Sequence, residues 1–207
     1  MFARYFYMNF KVRDIYFTIN FSAAAGLCIL LGLKNSSAVL AAAVCALAHE
    51  FSHIICLTAF GERPKAVKIY IFGIKIERRK PDRLSYFKEG IVSFAGPLIN
   101  LALYISLSAA GYFFKYKGLQ PYIMTNLAFF IFNLLPIRPL DGGRGLYHLL
   151  AAKRPEETAR KITDLAGYAV LPPLSFAGFL LLVAGGYNFT LLAVCVYLVF
   201  LIFVKTD

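Results

Sequence analysis

Charge is what this sequence lacks. Only 16% of its 207 residues are Asp, Glu, Lys or Arg, against 59% hydrophobic residues, and the mean hydropathy is +0.66. A water-soluble domain carries about a quarter charged residues, so that class is excluded and an integral membrane protein is expected. Acidic residues are the scarcer sign, 11 against 22 basic ones. The excess has no compact basic domain to carry it, which argues against nucleic acid as a partner. Histidine occurs three times, too seldom for a di-iron membrane oxidase. The sequence has no internal repeat and no low-complexity tract. No stretch is long enough for a soluble accessory domain, so residues 1–207 are expected to form a single domain. The first apolar run is too long for a cleavable signal peptide and lacks a small-residue cleavage site.

Long uncharged runs are what the sequence has instead. Six spans are expected, at about 15–33, 38–60, 91–114, 121–137, 165–184 and 187–204, taking about 20 residues per crossing. The expected fold class is an all-α polytopic membrane protein with a small β-hairpin at the membrane surface. With six spans, 19 of the 22 basic residues fall on one side. The positive-inside rule then puts both termini and the two long loops in the cytoplasm. The remaining positive charge suits anionic headgroups.

The span 38–60 contains three ionisable side chains, in His49-Glu50-Phe51-Ser52-His53. A carboxylate at that depth costs roughly 2.5–3.5 kcal/mol on translocon scales, so its retention calls for a function. Residues i and i+4 share a helix face. An H-E-x-x-H helix thus offers two imidazoles to one zinc ion, with the glutamate beside them as general base. Cys45 lies four residues earlier on the same face. A ligand role is conceivable there, but a buried small hydrophobe is the plainer reading, as for Cys28, Cys56 and Cys195.

Zinc in a hydrolytic site needs a third protein ligand. Pro136 and Pro139 cannot both continue a helix, so the fourth span should unwind into Leu140-Asp141-Gly142-Gly143. Asp141 is then either that ligand, on irregular backbone facing a cavity, or a turn aspartate before Gly-Gly. It lies near the cytoplasmic end of its span, as His53 does. Asn100, following Ala95-Gly96-Pro97-Leu98-Ile99, reads by itself as an interhelical hydrogen-bonding residue. His148 reads as an ordinary surface or interface histidine. Val67–Glu77 alternates apolar and charged residues around Phe72-Gly73 and is expected to be a hairpin. It is either a tether between helices or an exposed edge, with Ile69, Tyr70 and Ile71, that captures an extended peptide by strand addition.

Three elements, His49–His53, Gly96–Asn100 and Asn133–Gly143, resemble in order and placement the site-2 protease family of intramembrane zinc metalloproteases. The likeness covers nearly the whole chain. It is greatest to the bacterial sporulation branch, which activates a membrane-tethered sigma-factor precursor. The resemblance implies Zn2+ held by His49, His53 and Asp141, Glu50 as the catalytic acid/base, and Asn100 and Asn133 as substrate-positioning or oxyanion-supporting residues. It implies a membrane-anchored protein substrate and a bacterial cell membrane location, and leaves room for an inhibitory or regulatory membrane partner. Ser52 stands where many relatives have glycine. The nucleotide-sensing domain of some relatives has no counterpart, so gating by a soluble ligand is not expected. The competing readings are a catalytically inactive pseudoprotease and a metal transporter. A transporter should spread ionisable groups along a path, whereas these cluster at one depth, and a pseudoprotease should lose Glu50 or a ligand.

Overall fold

The computed structural model describes residues 7–12, 15–20, 36–62, 64–70, 73–78, 84–184 and 190–204. In chain order it consists of strands β1 (Tyr7–Val12) and β2 (Ile15–Asn20), helix α1 (Ser36–Ala59), strands β3 (Pro64–Tyr70) and β4 (Gly73–Arg78), and helices α2 (Tyr86–Phe114), α3 (Gln120–Asn133), α4 (Asp141–Ala151), α5 (Glu156–Ala184) and α6 (Thr190–Val204). One 3-10 turn, Lys117–Leu119, joins α2 to α3.

Helix α1 is built inside out. Ala41, Cys45, His49, His53 and Leu57 recur every four residues and are buried, while Leu40, Val44, Leu47, Phe51 and Ile55 form an exposed apolar stripe. Small and polar side chains facing protein with large apolar ones facing outward is the pattern of a helix in lipid. Helices α1, α2 and α5 are long and apolar enough to cross a membrane. Helices α3 and α6, with 14 and 15 residues, are shorter than a full crossing.

The expected helical architecture is present, and among the described residues three helices, against the six spans expected, are long and apolar enough to cross a membrane. The opening of the first expected span is corrected outright, since Ile15–Asn20 is strand β2. Its residues alternate, Ile15, Phe17 and Ile19 against Tyr16, Thr18 and Asn20, and period two is the strand period. The rest of that expected span lies outside the described residues. The hairpin also proves to be half of a larger sheet, ordered β1-β2-β3-β4. β1 and β2 are antiparallel, β2 and β3 parallel with α1 between them in the chain, and β3 and β4 antiparallel. Strand β3 is therefore interior. Ile69 is registered with Ile19 on one side and Ile74 on the other, so it does not lie on an edge, while Tyr70 is registered with Gly73 of β4; Ile71 lies outside the described residues. The sheet ends at β1 and β4.

Helix α3 stops at Asn133 because Pro136 disfavours helical backbone before it and has no N–H to continue the ladder. The segment 134–140 coils through short bonds, Ile137 N–H to Leu135 O at 2.8 Å and Leu140 N–H to Ile137 O at 2.8 Å. Ile137, fully buried with Leu171 of α5 and Leu198 of α6, anchors it. Gly142 and Gly143 let this coil lie on the start of α4. A Cβ at Gly142 would fall 2.2 Å from Leu134 O, and one at Gly143 would fall 2.3 Å from Ile137 O. Asp141 consequently occupies the first position of helix α4 rather than irregular backbone, aimed at α1.

Candidate metal centre

Three helices meet at His49. Its Nε2 is 2.8 Å from Asp141 Oδ2 and 3.3 Å from His53 Nε2, and His53 Nε2 is 3.3 Å from the same carboxylate oxygen. Both rings are oriented from behind. His49 Nδ1–H donates to Asn100 Oδ1 at 2.6 Å, and His53 Nδ1–H donates to the Val92 carbonyl at 2.7 Å. Each Nε2 is thereby left as a lone pair, the tautomer a ligand needs. Two imidazole lone pairs and a carboxylate oxygen then converge as three acceptors, an arrangement that repels unless a cation lies among them.

The residues fit zinc. Ligands about 2.05 Å from a tetrahedral centre stand roughly 3.3 Å apart, which is the spacing of two of the three pairs; the third is somewhat shorter. Helix α2 keeps the space open. A Cβ on Gly96 would fall 2.4 Å from both Nε2 atoms, so only glycine clears the ring edges. His49, His53 and Asp141 form the one His/Cys/Asp/Glu group among the described residues that could hold a metal ion.

Asn100 lies behind His49 and is not among the residues that line the cavity described below. It is fully buried, its carbonyl accepts from His49, and its amide donates to Asn126 Oδ1 at 2.8 Å. Asn126 in turn donates to Tyr122 O at 2.9 Å and to Cys45 Sγ at 3.1 Å. Cys45 thus closes a polar chain behind the centre and is not a ligand. Asn100 thus makes interhelical hydrogen bonds to His49 of α1 and Asn126 of α3. Removing an orienting group of this kind typically lowers metal affinity by about 10–100-fold. Asn100→Ala should show that loss in competition against a chelator, and Asn126→Ala a smaller one. Asn133 is half-buried, and its amide donates to Phe129 O of its own helix at 3.1 Å; it does not line the cavity described next.

A cavity of about 910 Å3 opens onto the centre. Glu50, His53 and Asp141 form one end, and Arg78, Arg138, Arg144, Arg160, Tyr147 and His148 line the rest. Of these, sequence reasoning identified only the first three as functional. His148 is no plain surface residue. Its ring stacks on Tyr86 at 6.1 Å. Burial, then the charges of Arg78 and Arg144, push its pKa down against the opposing pull of Glu89. The α4 residues Asp141, Arg144 and His148 at i, i+3 and i+7 were the available signal, since such spacing puts them on one face.

Residues 117–174 match the model of Peptidase family M50. The match includes Asp141 and leaves out the His49–His53 helix. The chain is 31% identical over 122 residues to a Synechocystis protein named "Putative zinc metalloprotease sll0528", covering 56% of this chain and 31% of that one. It is 29% identical over 140 residues to the stage IV sporulation protein FB of Bacillus subtilis, covering 67% of this chain and 48% of that one. The chain thus spans about a third and about half of the lengths of these relatives. Its fold is that of the site-2 protease from Methanocaldococcus jannaschii, with a TM-score of 0.62 and 21% identity over 94% of this chain and 92% of that one. The family model and the relatives bear out the resemblance first carried by the three motifs, and the structural match bears out the fold it implies.

Proposed function

We propose that this protein is an intramembrane zinc endopeptidase that cuts a membrane-anchored protein in or near its transmembrane segment and releases a fragment on the basic, cytoplasmic side, such as a tethered transcription factor. The observation that carries the reading is the meeting of His49 Nε2, His53 Nε2 and Asp141 Oδ2 at the end of a cavity that also holds Glu50. The likeness to zinc metalloproteases and to a sporulation protein supports it.

His49, His53 and Asp141 would hold the zinc, which when bound polarises the scissile carbonyl and makes water acidic enough to attack near neutral pH. Glu50 takes the water's proton and delivers it to the departing amide nitrogen. Asn100 and the Val92 carbonyl hold the two imidazoles in the required tautomer throughout. The cavity admits the water that α1's lipid-facing stripe excludes. A helical substrate cannot react, because its carbonyls are engaged in the helix. Strand addition would present it extended, and of the two ends of the sheet among the described residues, β1 and β4, β4 is the one whose last residue, Arg78, lines the cavity.

The reading expects about one zinc per purified chain. Asp141→Ala should remove most of it, because two imidazoles alone make an incomplete hydrolytic site. Metal analysis of the two proteins decides the matter: undiminished zinc in Asp141→Ala would sink the ligand assignment.

A further inference from the structure

The arginines of the cavity are not equivalent. Arg78 is paired with Glu89, and Arg138 donates to both oxygens of Asp164 at 3.0 and 3.1 Å, with Arg160 at 3.8 Å from the same carboxylate. Arg144 is exposed to the cavity and has no carboxylate within salt-bridge distance among the described residues. It stands one turn beyond Asp141 on α4, within electrostatic reach of both Glu50 and His148. At the metal centre a divalent ion would be balanced by Asp141 and Glu50, so that charge set is closed without it. An uncompensated guanidinium in a partly enclosed cavity is a ready partner for an anion.

We propose that Arg144 is a specificity-determining residue that pairs with a carboxylate of the substrate, an aspartate or glutamate within about two residues of the scissile bond on the side towards the cavity mouth. The proposal rests on the protease reading above and names the substrate class of that same site. Asp141 and Arg144 are separated by roughly 4.5 Å along α4, and an extended chain advances about 3.3 Å per residue. A side chain one or two residues from the attacked carbonyl would therefore come within reach of the guanidinium if the substrate runs along α4. A monovalent carboxylate matches a single free guanidinium. A lipid phosphate fits less well, because Arg78 and Arg138 are already held by Glu89 and Asp164 and its headgroup would obstruct Glu50.

The test presents the full-length protein, in liposomes of neutral lipid, with a library of single-span peptides randomised at the six positions flanking one membrane boundary. Cut ends are read by mass spectrometry. Wild-type protein should enrich Asp or Glu about tenfold at one fixed position from the cut, the scale of one charge-assisted contact. Arg144→Gln should lose that enrichment, Arg144→Lys should keep part of it, and Arg144→Glu should prefer Lys or Arg at the same position. Zinc content serves as the fold control. Identical cut-end profiles in zinc-loaded wild type and Arg144→Gln overturn the proposal. So does a defect of Arg144→Gln that appears only when anionic lipid is added and ignores the peptide's charge, which would assign the arginine to a headgroup. A wild-type protein with bound zinc and no Glu50-dependent cutting of any peptide fails at the level of the protease reading instead.

Discussion

Glu50→Gln is expected to leave zinc bound at about one ion per chain and to abolish cleavage. Glutamine keeps the shape of the side chain and cannot take a proton from water. A positioned general acid/base is worth about 10²–10⁴-fold, and Glu50 serves both in attack and in departure of the amine, so a loss near the top of that range is expected. The zinc should stay because Glu50 is outside the ligand set: the three convergent atoms belong to His49, His53 and Asp141. The pairing of the two readouts is what discriminates. A transporter or a pseudoprotease predicts no cleavage to lose, and a misfolded variant predicts loss of zinc as well. In cells, comparison of wild type with Glu50→Gln should reveal a single-span protein that accumulates uncut. Residual turnover by Glu50→Gln above about a tenth of wild type would mean that another group is the base.

The centre was legible in the sequence for a physical reason. Glu50 and the two histidines are costly in an apolar run, and the i, i+4 spacing of His49 and His53 fixes a shared face whatever the tertiary packing. Asp141 was legible more weakly, through Pro136, Pro139 and Gly142-Gly143, which force a break and a close approach without saying what is approached. The orienting residues were hidden. Asn126 looks like any polar side chain in a short span, and only the docking of α3 on α1 and α2 makes it the partner of Asn100. The arginines of the cavity were hidden for the opposite reason: the expected topology already accounts for basic residues in the loops between spans. Strand β2 was misread because hydropathy outweighed periodicity. Ile15–Asn20 is apolar enough to extend a span, yet Thr18 and Asn20 keep the alternation of a strand. That single misreading also misplaced the edge of the sheet, since β2 is what covers β3. Order in a sheet depends on pairing between strands distant in the chain, and local sequence does not encode it.

Gly96→Ala should destroy the metal centre with a single methyl group. The new Cβ would sit 2.4 Å from Nε2 of both histidines and 2.5 Å from His49 Cε1, well inside contact distance. Neither ring can give way cheaply. Turning His49 breaks its bond to buried Asn100, and turning His53 breaks its bond to the Val92 carbonyl. Moving α2 away from α1 opens the packing instead, at a cost of about 1–3 kcal/mol for an overpacked contact. Either route spoils a set of ligand positions that tolerates only a few tenths of an ångström. The variant should therefore purify with little zinc and no activity, with a lowered melting temperature. Gly111→Ala on the same helix supplies the control, because the nearest atom to its Cβ, Ile123 Cδ1, is 3.5 Å away in ordinary contact. That protein should keep its zinc and its activity. Full zinc in Gly96→Ala would show that α2 does not lie against the histidines in the way that gives the centre its shape.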